Sequence, residues 1–349
     1  MIGWNDVALL EPKYRREQIY RAWFDAGVKG IGDISTLPKD LREKFYALLW
    51  MPIKLEKLLD SKLDDTKRAL LRLSDGEMVE TVLMGRQSKK ISPSAEKRYT
   101  ICVSSQVGCP MKCVFCATGR AGFKRNLSME EIVAQFRFWQ EYLRENRKGE
   151  IGNVVFMGQG EPLLNYEAVK NAMNILIKFA NLGHTKITLS TAGVVAGMEK
   201  MIDDPDFPPI RFALSLHSAI PDDRKKLIPS QPEDFFEFLI GWSKKYHIKF
   251  ASRTHFVGLE YMFIGGINDS DRHLKALIKL ASKLGRVRLN LIPYNSIDND
   301  KSVKSADFEI IKSWQQTLMK SGFTTTVRLS QGSDIAAACG QLKNSYDNR

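Results

Sequence analysis

From Tyr99 onward the sequence alternates between β-rich and helical runs, and this alternation limits the possible folds more than any other feature. The β-rich runs are YTICVSS, NVVFMG, KITLST, IRFALSLH, LEYMFI, VRLNLIP and a last one, TTTVRLS. Helical patterns lie between them, and the clearest begins at a Ser128–Glu131 capping box. This order predicts an α/β fold in which a parallel sheet curls into a partial (β/α)6 barrel over residues 99–330. In such folds the chemistry gathers at the carboxyl ends of the strands.

The segments on either side of the barrel have different patterns. Residues 1–75 contain short helical stretches, so we expect a small N-terminal helical accessory domain there. Residues 76–98 are β-rich and predict a β linker or extension. Residues 331–349 form a C-terminal segment after the last strand, where a loop can lean over the barrel mouth.

The chain is basic, with a formal net charge of +12 and a pI near 9.4. This excess favours a nucleic-acid partner, because Lys and Arg on phosphates release counterions; the alternative is a solvated basic surface without a specific partner. Tyr14, Tyr20 and Trp23 lie in the basic N-terminal helices and can stack on bases, although we expect Trp23 in the core. No apolar run is long enough to cross a bilayer, and no secretory signal is visible, so we expect no membrane contact and a cytoplasmic location.

Four of the five cysteines are crowded into fifteen residues. Cys109, Cys113 and Cys116 have the spacing C-x3-C-x2-C directly after the first barrel strand. Three thiolates favour an iron–sulfur cluster held at three corners, with one iron open to a small ligand. A structural zinc site is the alternative and would need a fourth ligand, for which only Cys102 is near. The odd cysteine number argues against a structural disulfide framework.

Eight motifs, in order, resemble one enzyme family: CVSSQVGC, FCATG, KRNLSMEEIVAQ, GQGEPLLN, LSTAGVV, LSLHS, LNLIPYN and DIAAACGQL. The chain from Tyr14 to Leu342 is similar to the RlmN/Cfr family of radical S-adenosylmethionine (SAM) adenine methyltransferases, and most similar to its RlmN branch. The resemblance implies a 4Fe–4S cluster on the cysteine trio and two SAM molecules per turnover. One SAM donates a methyl group, and the other chelates the open iron and is cleaved to a 5′-deoxyadenosyl radical.

The same resemblance implies roles for the other two cysteines. Cys339 first takes a methyl group from SAM, and hydrogen abstraction from that S-methyl group then allows the carbon to add to adenine and link protein to RNA. Cys102 attacks the Cys339 sulfur, and the resulting disulfide releases the methylated product. From the residues alone, Cys339 has the alternative of a small buried side chain, and Cys102 that of an inert thiol inside a strand.

In the family, the residues that hold SAM lie at or just after strand ends, and here they are Gly160, Glu161, Ser190, Ser215, Leu216, His217 and Asn295. Gly160 and Glu161 would hold the SAM amino group. A histidine such as His217 is also commonly a satisfied structural residue. Glu80 matches the position that the family uses as proton acceptor, and a solvent-facing strand glutamate is the alternative.

The resemblance implies methylation of adenosine carbon 2 in the peptidyl-transferase region of 23S rRNA, before full ribosome assembly, and of an adenosine next to the tRNA anticodon. It also implies a one-electron donor such as flavodoxin and a monomeric enzyme. Gln159 and Gln331 depart from the residues usual in the RlmN branch. The alternatives are carbon-8 methylation, as in the Cfr branch, and a non-catalytic iron–sulfur RNA-binding protein.

Overall fold

The computed structural model describes residues 3–25, 27–85, 97–252, 254–297 and 303–342. Its strands are β1 (Ile53–Asp60), β2 (Lys67–Leu73), β3 (Met78–Gly85), β4 (Arg98–Cys102), β5 (Gln106–Gly108), β6 (Phe123–Asn126), β7 (Glu150–Phe156), β8 (Ile187–Thr191), β9 (Arg211–Ser215), β10 (Val257–Phe263), β11 (Val287–Pro293) and β12 (Thr324–Val327). Its α-helices are α1 (Trp4–Ala8), α2 (Lys13–Trp23), α3 (Lys39–Lys44), α4 (Ala117–Ala121), α5 (Met129–Glu145), α6 (Tyr166–Phe179), α7 (Val195–Asp203), α8 (Pro221–Leu227), α9 (Phe235–Lys249), α10 (Asp271–Ala281) and α11 (Phe308–Lys320).

The strands predicted from the sequence form the parallel part of one large sheet. Its order is β1-β2-β3-β4-β7-β8-β9-β10-β11-β12, and every pair from β4 to β12 runs parallel. The predicted partial barrel with a last strand is therefore confirmed. Every residue of β10 is buried, as expected for a central parallel strand covered on both faces. The carboxyl ends of these strands meet at one edge of the sheet.

Helix α5 begins at the predicted capping box. The Glu131 backbone N–H donates to Ser128 Oγ at 3.3 Å, and the Ser128 backbone N–H donates to Glu131 Oε2 at 2.9 Å. These two bonds satisfy backbone donors that the first turn of a helix leaves without partners. Among the described residues, no helix combines the length and the apolar character needed to span a bilayer.

Three antiparallel strands, β1, β2 and β3, extend the sheet beyond β4. They begin at Ile53, so the helical prediction for residues 1–75 is wrong after that point. The run ALLRLSD, which overlaps β2, is β-rich, but β1 gave no strand signal, because four consecutive residues of it, 54–57, are exposed. Lys67 and Arg68 at the start of β2 are charged yet buried, and each is held by an ion pair with a carboxylate. Residues 86–96 of the predicted β linker lie outside the described residues.

Tryptophans join the N-terminal helices into a core. The indole N–H of Trp23 donates to the Trp50 carbonyl oxygen at 2.8 Å, and the ring centroids of Trp4 and Trp23 lie 3.8 Å apart. The expectation that Trp23 is a core residue is confirmed, and Tyr20 is buried as well. Tyr14 is 53% exposed, which leaves it as the aromatic side chain of the predicted trio that an RNA base can reach.

Candidate active site

The three crowded cysteines line one cavity at the carboxyl edge of the sheet. The Cys109 N–H donates to the Gly122 carbonyl oxygen at 2.7 Å, which closes the loop that follows β5. The Cys116 N–H donates to the Cys113 carbonyl oxygen at 3.2 Å, which makes a tight turn between these two residues. All three cysteines line a cavity of about 150 Å³. The fold thus brings the predicted trio together.

The chemistry of this donor set fits an iron–sulfur cluster. Burial raises the pKa of Cys109 to about 12 and that of Cys113 well above its ordinary value, so a metal centre must displace protons as it binds. In the described ranges, no three His, Cys, Asp or Glu residues converge closely enough to hold one metal ion. A four-iron cube does not need such convergence, because each cysteine binds a different iron.

The GQGEP turn after β7 forms the opposite wall of the same cavity. Gly160 has φ +101, and a Cβ there would lie 2.6 Å from the Gln106 side chain, so glycine is required. Glu161 is buried, and its carboxylate accepts hydrogen bonds from the backbone N–H groups of Ala192 at 2.7 Å and Leu163 at 3.0 Å. Burial raises the Glu161 pKa and these donors oppose the rise. The carboxylate is therefore fixed at the cavity wall.

Ser190, Ser215 and His217 line the same cavity at the ends of the next strands. The Met262 N–H donates to His217 Nδ1 at 3.1 Å, so a neutral ring carries its proton on Nε2. Burial lowers the His217 pKa to about 3, which keeps the ring neutral. Leu216 differs from its neighbours, because it is a fully buried core residue with its N–H on the Glu260 carbonyl oxygen at 2.9 Å.

Cys339 joins this cavity to a larger one of about 310 Å³. The larger cavity is also lined by Cys102 from the end of β4, so the two remaining cysteines share one space. Cys339 is exposed as a whole residue although protein atoms surround its thiol, whereas Cys102 is buried. The protein around Cys339 limits its hydration and raises its pKa, while nearby Arg328 lowers it.

The chain around Cys339 is bonded to the start of helix α4, which directly follows the cysteine trio. The N–H of Ala117, directly after Cys116, donates to the carbonyl oxygen of Gly340, directly after Cys339, at 2.7 Å. Asn295 Nδ2 donates to the Cys339 carbonyl oxygen at 3.3 Å. The predicted SAM neighbour Asn295 therefore contacts the Cys339 segment.

A second set of contacts fastens the residues before Cys339 to the antiparallel extension. The fully buried Glu80 is ion-paired with Arg68, whose Nη1 also donates to the carbonyl oxygens of Ile335 at 2.8 Å and Ala336 at 3.3 Å. Glu80 therefore lines neither cavity, and it is linked to the C-terminal segment through Arg68.

The sequence is similar to a family model described as the radical SAM superfamily, which matches residues 103–287. A dual-specificity RNA methyltransferase RlmN of Lawsonia intracellularis is 38% identical, with 97% of this chain and 93% of the relative covered. A ribosomal RNA large subunit methyltransferase N of Nitrosopumilus maritimus is 39% identical, with coverages of 95% and 92%. The chain belongs to the RlmN family of radical SAM enzymes.

The fold agrees with this membership. A radical SAM methyltransferase from Sphaerobacter thermophilus superposes with a TM-score of 0.83 and 34% identity, over 96% of this chain and 94% of that one. As an RlmN-family member the chain is an enzyme, and its cofactors are a 4Fe–4S cluster and SAM. The sequence-based expectations of the family, the barrel and the cofactors are confirmed.

Arg328 is a residue of this RlmN-family site that was not predicted from the sequence. Arg328 lines both cavities, between Cys339 and the buried Glu260, and its Nη1 lies 3.4 Å from Glu260 Oε2. Its signal in the sequence was its place in the TTTVRLS run, just past β12, where strand-end residues reach the barrel mouth. The chain has many basic residues, and nothing in the sequence distinguishes Arg328 from the others.

Proposed function

We propose that this enzyme methylates carbon 2 of an adenosine in the peptidyl-transferase region of 23S rRNA, and an adenosine next to the tRNA anticodon. The observation that carries the proposal is the shared cavity of Cys102 and Cys339, next to the cavity of the cysteine trio. Neither of these two cysteines is needed to hold a cluster. A family member with an S-methylcysteine route needs both of them.

In this proposal Cys109, Cys113 and Cys116 hold the cluster. SAM lies against Gly160, Glu161, Ser190, Ser215 and His217, with Leu216 as a supporting core residue and Asn295 at the edge of the site. When bound, the cluster and SAM would supply the methyl group and the radical chemistry that an electron-poor adenine C–H position requires. The neutral His217 can donate from Nε2, while the fixed Glu161 carboxylate can accept from an ammonium group.

The Cys339 sulfur carries the one-carbon unit from SAM to the adenine. A thiolate suits the first transfer, and the nearby Arg328 cation favours that charge state. Cys102 would then attack the Cys339 sulfur as a thiolate, so that a sulfur–sulfur bond forms while the sulfur–carbon bond breaks. The electron pair of the broken bond stays on the carbon, which takes up a proton to become the methyl group. The methyl carbon stays on the RNA.

Glu80 is proposed as the proton acceptor, as its family position implies. In the described conformation its carboxylate is ion-paired with Arg68 and fully buried. Opening of this pair must therefore precede proton transfer. Arg68 also donates from Nη1 to Ile335 and Ala336, so an opening in which Arg68 itself moves would release the Cys339 segment as well.

The RNA must present an unpaired adenine, because a base edge inside a helix does not reach an enclosed site. The net charge of +12 supports binding to the phosphate backbone. We further propose that the enzyme is a cytoplasmic monomer and that a one-electron donor such as flavodoxin reduces the cluster.

The decisive experiment is mass spectrometry of nucleosides from a 23S rRNA fragment and a tRNA, each incubated with the reconstituted enzyme, SAM and a reductant. We expect 2-methyladenosine in both RNAs and none with Cys339→Ala. A matched control is Cys339→Ala with its iron content measured, because this variant should keep the cluster. Methylation at carbon 8, or undiminished methylation by Cys339→Ala, would contradict the proposal.

A further inference from the structure

Arg224 in α8 is a fully buried cation that binds only neutral oxygen atoms in the described part of the chain. Its Nε donates to the Leu216 carbonyl oxygen at 2.9 Å, and its Nη2 donates to the carbonyl oxygens of Ala192 at 2.7 Å and Ser215 at 2.9 Å. Its Nη1 donates to the Gln231 side-chain oxygen. Each guanidinium nitrogen thus donates to a neutral oxygen, and no carboxylate among the described residues forms an ion pair with the charge.

A buried charge of this kind is costly unless an opposite charge lies near it. Arg137 offers a comparison, because it is also buried and also donates to a carbonyl oxygen, that of Trp50. Its guanidinium carbon lies 5.5 Å from the Trp23 ring centroid and 5.7 Å from that of Trp50, so aromatic faces partly offset its charge. Arg224 has one such ring, Phe235, at 4.2 Å.

The position of Arg224 indicates where its counter-charge belongs. Ala192 and Ser215, whose carbonyl groups it binds, line the cavity of the cysteine trio. At the C-terminal end of α8, the Leu227 carbonyl oxygen accepts a hydrogen bond from the Val114 N–H at 3.1 Å, which joins the helix to the cysteine loop. The guanidinium of Arg224 therefore lies directly behind backbone groups that line the cavity of the trio.

We propose that Arg224 is the internal counter-charge of the iron–sulfur cluster and sets its reduction potential from behind the cavity wall. The inference deepens the proposed function, because it rests on Cys109, Cys113 and Cys116 as cluster ligands. Arg224 touches neither SAM nor the reacting atoms and is a positioning residue whose charge acts at a distance. The reduction potential of an iron–sulfur cluster depends on its net charge and on nearby hydrogen bonds. A fixed cation that is shielded from water should therefore shift this potential strongly.

The direction of the effect follows from charge. Reduction adds one electron to the cluster, taken from a low-potential one-electron donor, while Arg224 gains and loses nothing. A nearby positive charge stabilises the more negative, reduced cluster more than the oxidised one, and therefore raises the reduction potential. Removal of that charge makes reduction harder.

The test is a reductive titration of the reconstituted holoenzyme, with dithionite and redox mediators, followed by electron paramagnetic resonance. For Arg224→Gln we expect at least a tenfold smaller equilibrium constant for reduction, which corresponds to a potential about 59 mV more negative. Arg224→Lys keeps the charge and should restore most of the wild-type potential. Arg137→Gln, a buried arginine at the accessory domain, should leave the potential unchanged.

A second variant keeps the test valid if Arg224→Gln does not fold. Gln231→Glu preserves the side-chain size and the acceptor on Arg224, and it adds a carboxylate that pairs with the guanidinium. We expect a lower potential with the iron content and the melting temperature maintained. Equal potentials for the wild type, Arg224→Gln and Gln231→Glu at full iron content would overturn the inference alone. A wild-type protein that binds no cluster would overturn the ligand assignment and this inference with it.

Discussion

The loop of Cys109, Cys113 and Cys116 and the segment that carries Cys339 meet at the same cavities, but different interactions place them. The loop is short, its cysteines lie within eight residues, and it is closed by local backbone bonds. The Cys339 segment comes from the far end of the chain and is held by polar contacts to distant elements, including Arg68 and Ala117. The trio is thus a preformed ligand set, whereas Cys339 depends on contacts that can open.

This difference suits the two tasks. Cluster ligands have to stay in place throughout the reaction, and a buried local loop provides that. A sulfur that meets SAM, an adenine and Cys102 in turn has to change position, and a segment held by individual hydrogen bonds permits this. Changes in the two regions should therefore affect different measurements, iron content for the loop and cysteine methylation for the segment.

The largest effect is expected from Cys113→Ala in the loop. Loss of one of three ligands should reduce the iron content to background and RNA methylation by several orders of magnitude. The measurement is iron and sulfide analysis together with the visible absorbance of the anaerobically purified protein. Cys339→Ala is the matched control from the other region and should keep the iron. A full iron complement in Cys113→Ala would mean that the loop is not the ligand set.

Cys102→Ala should affect product release and leave the cluster in place. Without the second thiol, the Cys339 sulfur cannot leave the methylated adenine, so a covalent protein–RNA adduct should accumulate and turnover should fall by orders of magnitude. Denaturing electrophoresis with labelled RNA measures the adduct. Normal turnover without an adduct would remove Cys102 from the mechanism.

Arg68→Met tests the contacts before Cys339. Removal of one partner of a buried ion pair leaves Glu80 buried and unpaired, which should lower the free energy of unfolding by about 3–5 kcal/mol. The double variant Arg68→Met/Glu80→Leu should recover most of this loss, because an apolar pair carries no buried charge. Chemical denaturation measures both. We expect Arg68→Met to bind iron normally and to show less S-methylation of Cys339 by mass spectrometry; wild-type methylation would separate Arg68 from the placement of Cys339.

Thr118→Val tests the contacts after Cys339 and should have the smallest effect. The Thr118 hydroxyl donates to the Leu342 carbonyl oxygen at 2.5 Å, and its loss should cost about 1 kcal/mol of stability. Thermal unfolding measures the change. Cys339 methylation should fall less than in Arg68→Met, and a larger fall would mean that α4 controls the segment more than the extension does.

The barrel was predictable from the sequence, whereas the buried ion pair and the buried arginine near the site were not. Strand and helix alternation is a local pattern, so the barrel and the position of Glu161 after β7 followed from it. The short strand β5, which directly precedes Cys109 and pairs with β6 outside the large sheet, was not predicted. The Arg68–Glu80 pair was not predictable, because it depends on how β2 pairs with β3, and charged residues at a strand start usually face water. Arg224 was missed for a similar reason, since composition rules place arginine at the surface.

In the described conformation, the bond between Ala117 and Gly340 couples the positions of Cys116 and Cys339 through very short lengths of chain. Each partner follows its cysteine by a single peptide unit, and Gly340 has φ +84, a geometry that other residues seldom adopt. An extra residue after either Cys116 or Cys339 would move one sulfur by a full peptide step relative to the other. An insertion at either point should therefore weaken methyl transfer, because the chain could not keep both this bond and the relative position of the two sulfurs in the described conformation.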